Sequence, residues 1–180
     1  MLAFDTETTG LIKPDPTDIN LQPYIIEIYI AKFNPLFEIV DDFESLVKPP
    51  IPISDEITNI TGITNEMLKD APAFSAIYDD ICAFVLGEEF IFAHNASFDI
   101  SMLKNELKRM DCQYKFPWPK NHLCTVELSF PINNKRMTLS ELYKFCTHKT
   151  LLNAHRAKND VLPMIECIQW LTENGFITYD

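Results

Sequence analysis

Two rhythms of apolar residues divide the chain. Leu2-Ala3-Phe4 is a short apolar run that reads as a buried strand. Tyr24-Ile25-Ile26-Glu27-Ile28-Tyr29-Ile30-Ala31 is a near-continuous β-branched and aromatic run with the same reading. A polar loop with three prolines, Lys13 to Pro23, separates the two. Asn34-Pro35 then turns the chain into Leu36 to Val47, a third strand expected to carry Phe37, Ile39 and Phe43 on one face. These segments predict a meander of three strands.

The second rhythm is helical. Lys48-Pro49-Pro50-Ile51-Pro52 breaks the sheet, and Ser54 or Asp55 can cap a short helix. Phe74, Ile77, Tyr78, Ile81, Phe84 and Val85 recur at helical spacing until Gly87 ends the pattern. Phe90 to Ala93 reads as a strand, followed by a helix from about Ala96 to Met110 with Asn95 as its N-cap. An irregular stretch leads to Leu139, Leu142, Tyr143 and Phe145, which suggest another helix. The last helix runs to about Thr172, with Val161, Met164, Ile165, Ile168 and Leu171 on one face. Pro163 lacks a backbone N–H and its ring clashes with residue 159, which predicts a kink or a start near Asn159. Strands first and helices interleaved later describe an α/β sheet covered by helices.

At 180 residues and 20.8 kDa the length fits one domain, and 47% hydrophobic content with 13 Phe places it among globular proteins. No apolar run approaches the roughly 20 residues of a membrane helix, and the N-terminus carries no basic-then-apolar leader. The expectation is a cytoplasmic protein, or one of the host cytoplasm if the source is viral. Five cysteines without a C-x-x-C pair argue against a disulfide framework and a zinc ribbon. The net charge of −11 argues against an autonomous duplex-binding protein, because basic residues supply most sequence-independent affinity for phosphate.

Candidate chemistry lies in the acids. Asp5 and Glu7 are two apart at the end of the first strand, so their side chains point to one side. Asp99 stands four residues before Leu103 and Asp160 four before Met164, so each extends an apolar helix stripe. A carboxylate is expensive there unless paired. Four such groups invite hard divalent cations, Mg²⁺ or Mn²⁺. Two ions would clamp the attacking and leaving oxygens of a phosphoryl displacement. His155, five residues before Asp160, is useful if it sits in the loop entering the helix, where a histidine can take a proton from water near neutral pH.

Phe4-Asp5-Thr6-Glu7-Thr8-Thr9-Gly10-Leu11 resembles the first motif of the DEDDh exonucleases, the family of the bacterial polymerase III proofreading subunit. His94-Asn95-Ala96-Ser97-Phe98-Asp99 resembles the second, and His155-Arg156-Ala157-Lys158-Asn159-Asp160 the third. Order and approximate spacing match across nearly the whole chain. The resemblance implies a single exonuclease domain over residues 1–180, with a ribonuclease H-like mixed five-stranded sheet, an antiparallel meander followed by parallel strands, flanked by helices. It implies Asp5, Glu7, Asp99 and Asp160 as ligands of two divalent ions and His155 as general base. Thr6, Thr8, Thr9, Gly10 and Leu11 would hold the terminal nucleotide, with Thr61, His94, Asn95 and Phe98 completing the pocket. Thr61 stands where many proofreading members carry a histidine.

The implied activity is 3′→5′ cleavage at single-stranded or frayed 3′ ends, DNA favoured, with a polymerase or another DNA-binding protein as partner. A ribonuclease trimming RNA ends or oligoribonucleotides is the alternative. A non-catalytic binding module would be expected to have lost one of the five motif residues, and none is lost.

Overall fold

The computed structural model describes residues 1–14, 18–152 and 155–179. Strands β1 (Leu2–Thr8), β2 (Ile25–Phe33) and β3 (Ile39–Leu46) form the antiparallel meander. Helices α1 (Asp55–Thr61), α2 (Asn65–Leu68) and α3 (Phe74–Val85) follow, then β4 (Phe90–Ala93), which pairs parallel to β1. Helix α4 (Ala96–Arg109) leads to β5 (Asn121–Cys124), parallel to β4, and then to α5 (Thr125–Asn133), α6 (Leu139–Thr147) and α7 (Ala157–Glu173). The sheet order is β3-β2-β1-β4-β5. Among the described residues no helix is long and apolar enough to cross a membrane.

Alternation along β1 feeds two cores. Leu2 and Phe4 face α3 and α4 and pack with Ile81, Met102 and Leu103. Ala3 faces the other way, toward Val161, Met164, Ile165 and Ile168 of α7. The end of β1 is therefore approached by α4 from one face and by α7 from the other.

Several local expectations change. Phe37 and Phe43 do not share a face: Phe43 packs with the α3–α4 core, while Phe37 takes a left-handed turn conformation (φ 62°) against the α7 core. Ile39 is exposed. An irregularity between Lys32 and Phe33 shifts the β2–β3 register there, and an edge strand leaves its outer positions to solvent. The stretch after Met110 is not irregular throughout, since it contains β5 and α5. Helix α7 starts at Ala157, two residues ahead of the later start considered, and runs through Pro163. Ser54 caps α1, its hydroxyl accepting from the Ile57 N–H. Asn95 holds the N-cap position of α4 in left-handed backbone but makes no side-chain cap.

Candidate active site

β4 pairs with β1 only at Leu2 and Ala3, so the outer half of β1 has no ladder partner on that side. Asp99, in the first turn of α4, takes up that opening. Its Oδ1 accepts from the Thr6 N–H at 3.0 Å and the Thr6 hydroxyl at 2.7 Å. Asp99 is 2% exposed, and burial pushes its carboxyl up to about 7 despite the two Thr6 bonds.

The opposite face is arranged differently. One carboxylate oxygen from each of Asp5, Glu7 and Asp160 lies within 4.8 Å of the others. Burial, then the charges of Asp99, Glu7 and Asp160, hold the Asp5 carboxyl well above the usual carboxylate range. Glu7 is pushed up to about 7, first by burial and then by Asp160 and Glu27. Burial also raises Asp160, against the lowering effect of the His155 amide. That amide donates to Asp160 Oδ2 at 3.1 Å, while Asp160 Oδ1 is buried with no hydrogen-bond partner among the described residues. Three converging carboxylates with an orphaned oxygen are what a hard cation would satisfy, so the donor set fits a divalent metal.

His155 is exposed, in left-handed backbone (φ 69°), in the turn that enters α7. It lines a cleft of about 440 Å³ together with Asp5, Asp160, His94 and Asn95. His94 Nδ1 meets Thr125 Oγ1 at 2.8 Å, and burial pulls the His94 imidazole down to about 4, so this ring is neutral near pH 7. A second cleft, about 540 Å³, is lined by residues 6–11, Thr61 and Phe98. Leu11 is 81% exposed at its rim. Gly10 has a φ of +156°, which L side chains rarely adopt, and Thr8 Oγ1 donates to its carbonyl at 2.8 Å. Thr9 Oγ1 accepts from the Tyr24 N–H at 2.9 Å, tying this loop to β2. The Thr61 hydroxyl is engaged locally, donating to the Ile57 carbonyl and accepting from the Ile63 N–H.

Three motif acids, Asp5, Glu7 and Asp160, thus meet at the end of β1 with Asp99 held on Thr6, but the nucleotide-binding candidates divide between two clefts. His94 and Asn95 lie in the first, and the Thr6–Leu11 segment, Thr61 and Phe98 in the second. Of the Lys13 to Pro23 loop, residues 15–17 lie outside the described residues. The two flanks of the loop are joined by Gln22, which exchanges hydrogen bonds with Lys13 at both its side-chain atoms.

The pattern of residues did not single out Glu27 or Arg136. Glu27 is buried on β2 across from Glu7, and a charge inside an apolar strand was its available signal. Arg136 is the permanent cation lining the first cleft, a position with no local signature.

The family model described as Exonuclease, that of the RNase T group, matches residues 2–167. A PolC-type DNA polymerase III of Caldanaerobacter subterraneus subsp. tengcongensis is 37% identical over 164 residues, covering 88% of this chain and 10% of the relative. The 3′-5′ exonuclease DinG of Staphylococcus epidermidis is 35% identical over 161 residues, covering 87% of this chain and 16% of the relative. The chain therefore spans only a small part of the length of these curated relatives. Among solved structures, exonuclease X in complex with 5′ overhanging duplex DNA superposes with a TM-score of 0.70 at 26% identity, covering 98% of this chain and 93% of that one. The nuclease domain of 3′hExo bound to rAMP, at 17% identity and a TM-score of 0.77 over 97% of this chain and 92% of that one, shows the same fold. With a family match that runs through all three motifs, this chain belongs to the DEDDh exonucleases.

Proposed function

We propose that this chain is a DNA 3′→5′ exonuclease that hydrolyses the terminal phosphodiester linkage and releases nucleoside 5′-monophosphates. The observation that carries the reading is the gathering of Asp5, Glu7 and Asp160 within 4.8 Å of one another, with Asp99 behind Thr6 and His155 in the same cleft. In this reading Asp5, Glu7, Asp99 and Asp160 hold two divalent ions, Mg²⁺ or Mn²⁺. When bound, such ions supply electrophilic stabilisation at the scissile phosphate.

The side chains have distinct parts in this scheme. His155 accepts the proton of the attacking water at its imidazole. His94, neutral and bonded to Thr125, shapes the wall without carrying charge to the phosphate. The Thr6–Leu11 segment and Phe98 enclose the terminal nucleoside, whose base packs near Leu11. Frayed and single-stranded ends are preferred because a terminal pair must open to enter, at a cost of a few kcal/mol.

DNA is put ahead of RNA on two relatives, the PolC-type DNA polymerase and exonuclease X in complex with duplex DNA, while the 3′hExo nuclease domain, at lower identity, is bound to rAMP. The acidic surface argues for weak binding by the isolated chain and for delivery of the 3′ end by a partner with a basic face, a polymerase or another DNA-binding protein. Cleavage of matched DNA and RNA strands with Mg²⁺ or Mn²⁺ tests the reading. Release of 5′-monophosphates from DNA 3′ ends, faster than from RNA, is expected. A faster rate on RNA would transfer the assignment to a ribonuclease, and cutting of closed circles at a comparable rate would end the exonuclease reading.

A further inference from the structure

Glu27 is the third residue of β2, between Ile26 and Ile28, and is 2% exposed. An apolar residue would serve a buried strand at least as well, since replacing a buried ion pair by packed hydrophobic groups is often neutral or stabilising. What distinguishes Glu27 is where its oxygens go. The Arg156 Nε donates to both, at 3.0 Å each, and Arg156 Nη2 donates to Oε1. The Ala157 N–H donates to Oε2 at 3.0 Å. Both residues follow His155 directly in the chain, and Glu27 lines neither cleft.

We propose that Glu27, through Arg156, is a positioning residue for His155, fixing the turn that presents the imidazole to the carboxylate cleft. This rests on the reading of His155 as the proton acceptor. Two side-chain anchors of the turn stand out among the described residues. Asp160 Oδ2 holds the His155 N–H from within the cleft, and Glu27 holds the next two residues from the sheet. Asp160 is a poor sole anchor, because its free oxygen points to another duty in the cleft. Glu27 lines neither cleft: its charge is felt at Glu7, but its hydrogen bonds go to the turn. The left-handed backbone at His155 requires such support, since that conformation is uncommon outside glycine.

A double-mutant cycle between Glu27→Gln and His155→Ala tests this. Glu27→Gln keeps the side chain's shape and removes its charge. It should lower kcat by roughly 10–100-fold, the scale of a misplaced reacting group, and leave KM within about 2-fold. In the His155→Ala background the same change should cost no more than about 2-fold. Arg156→Lys keeps the charge but loses the fork, and should give a smaller kcat loss that also vanishes in His155→Ala. This variant keeps the test decisive if Glu27→Gln does not fold. Equal losses in both backgrounds would mean that Glu27 acts through the carboxylates or the fold, and the proposal is overturned. A wild-type rate for Glu27→Gln would also overturn it. Should His155→Ala itself retain full rate, the reading of His155 fails first, and nothing remains to be positioned.

Discussion

Asp99 and Asp160 reach the same strand end from opposite faces of the sheet, and the protein treats them differently. Asp99 comes from α4 and is met by two donors of its own chain, the amide and hydroxyl of Thr6. Asp160 comes from α7 with one oxygen on the His155 amide and the other without a hydrogen-bond partner among the described residues. Both acids repel Asp5, but Asp99 has donors of its own chain to hold it, whereas Asp160 faces Asp5 and Glu7 with one oxygen unmatched among the described residues. Rigidity and affinity are thus divided between the faces: α4 fixes the geometry, while α7 keeps the unsatisfied charge that a metal can relieve.

Removing either acid tests whether both are needed for turnover but unequally for folding. Asp5→Ala, Glu7→Ala, Asp99→Ala and Asp160→Ala should each lower kcat by on the order of 10³-fold or more, and chelation should abolish cleavage. The stability effects should split. Asp160→Asn should leave metal-free Tm unchanged or higher. Asp99→Ala strands the Thr6 donors and should cost about 1–3 kcal/mol in denaturant unfolding. Equal stability effects at the two positions would erase the distinction.

Next in size is His155→Ala, expected to lower kcat by roughly 10²–10⁴-fold, the usual range for a general base. A wild-type rate and pH profile in this variant would mean that another group activates the water.

The raised carboxyls also predict how metal-free stability depends on pH. Glu7 and Asp99 are raised to about 7 in the folded chain, so between the ordinary carboxylate range and that value the native state binds more protons than the unfolded one. Unfolding free energy then falls as pH rises through this window. Metal-free Tm should rise by roughly 5 °C from pH 8 to pH 5.5, and saturating Mg²⁺ should flatten the slope. A Tm that falls over that range without metal would contradict the charge arrangement.

Thr6→Val is the finer probe of the α4 side. It keeps the amide and deletes the hydroxyl, and should cost about 1 kcal/mol of stability with a several-fold loss in kcat. The smallest expected effect is on salt. With Arg136 as the permanent cation among the described residues of the two clefts, Arg136→Ala should lessen the log–log salt slope on single strands by about 0.7. An unchanged slope would show that Arg136 does not touch the backbone.

What could be read from the chain alone follows the same division. β1, β2, α3, β4 and α4 were legible because each carries an apolar run or stripe that only one period explains. β5 was not, being a four-residue edge strand, Asn121–Cys124, with two exposed residues and no alternation. α5 was hidden by Pro131 within it and by Phe130 turned to solvent. The acids were legible through their spacing, whereas the Thr6 clasp on Asp99 depends on β4 ending early, a fact of tertiary pairing. Glu27 finds its partner 129 residues away, so its role emerges only once α7 docks on β2.

With His155 as the proposed proton acceptor, its left-handed backbone bears on how a silent form of the enzyme should be made. Replacing histidine by alanine removes the imidazole but also asks a residue with a β-carbon and no polar tip to hold a φ of 69°. Asparagine tolerates that conformation far better than alanine does. For capturing an uncut strand in crystals or by affinity enrichment, His155→Asn is therefore the better choice, because it separates the loss of chemistry from a change in loop shape.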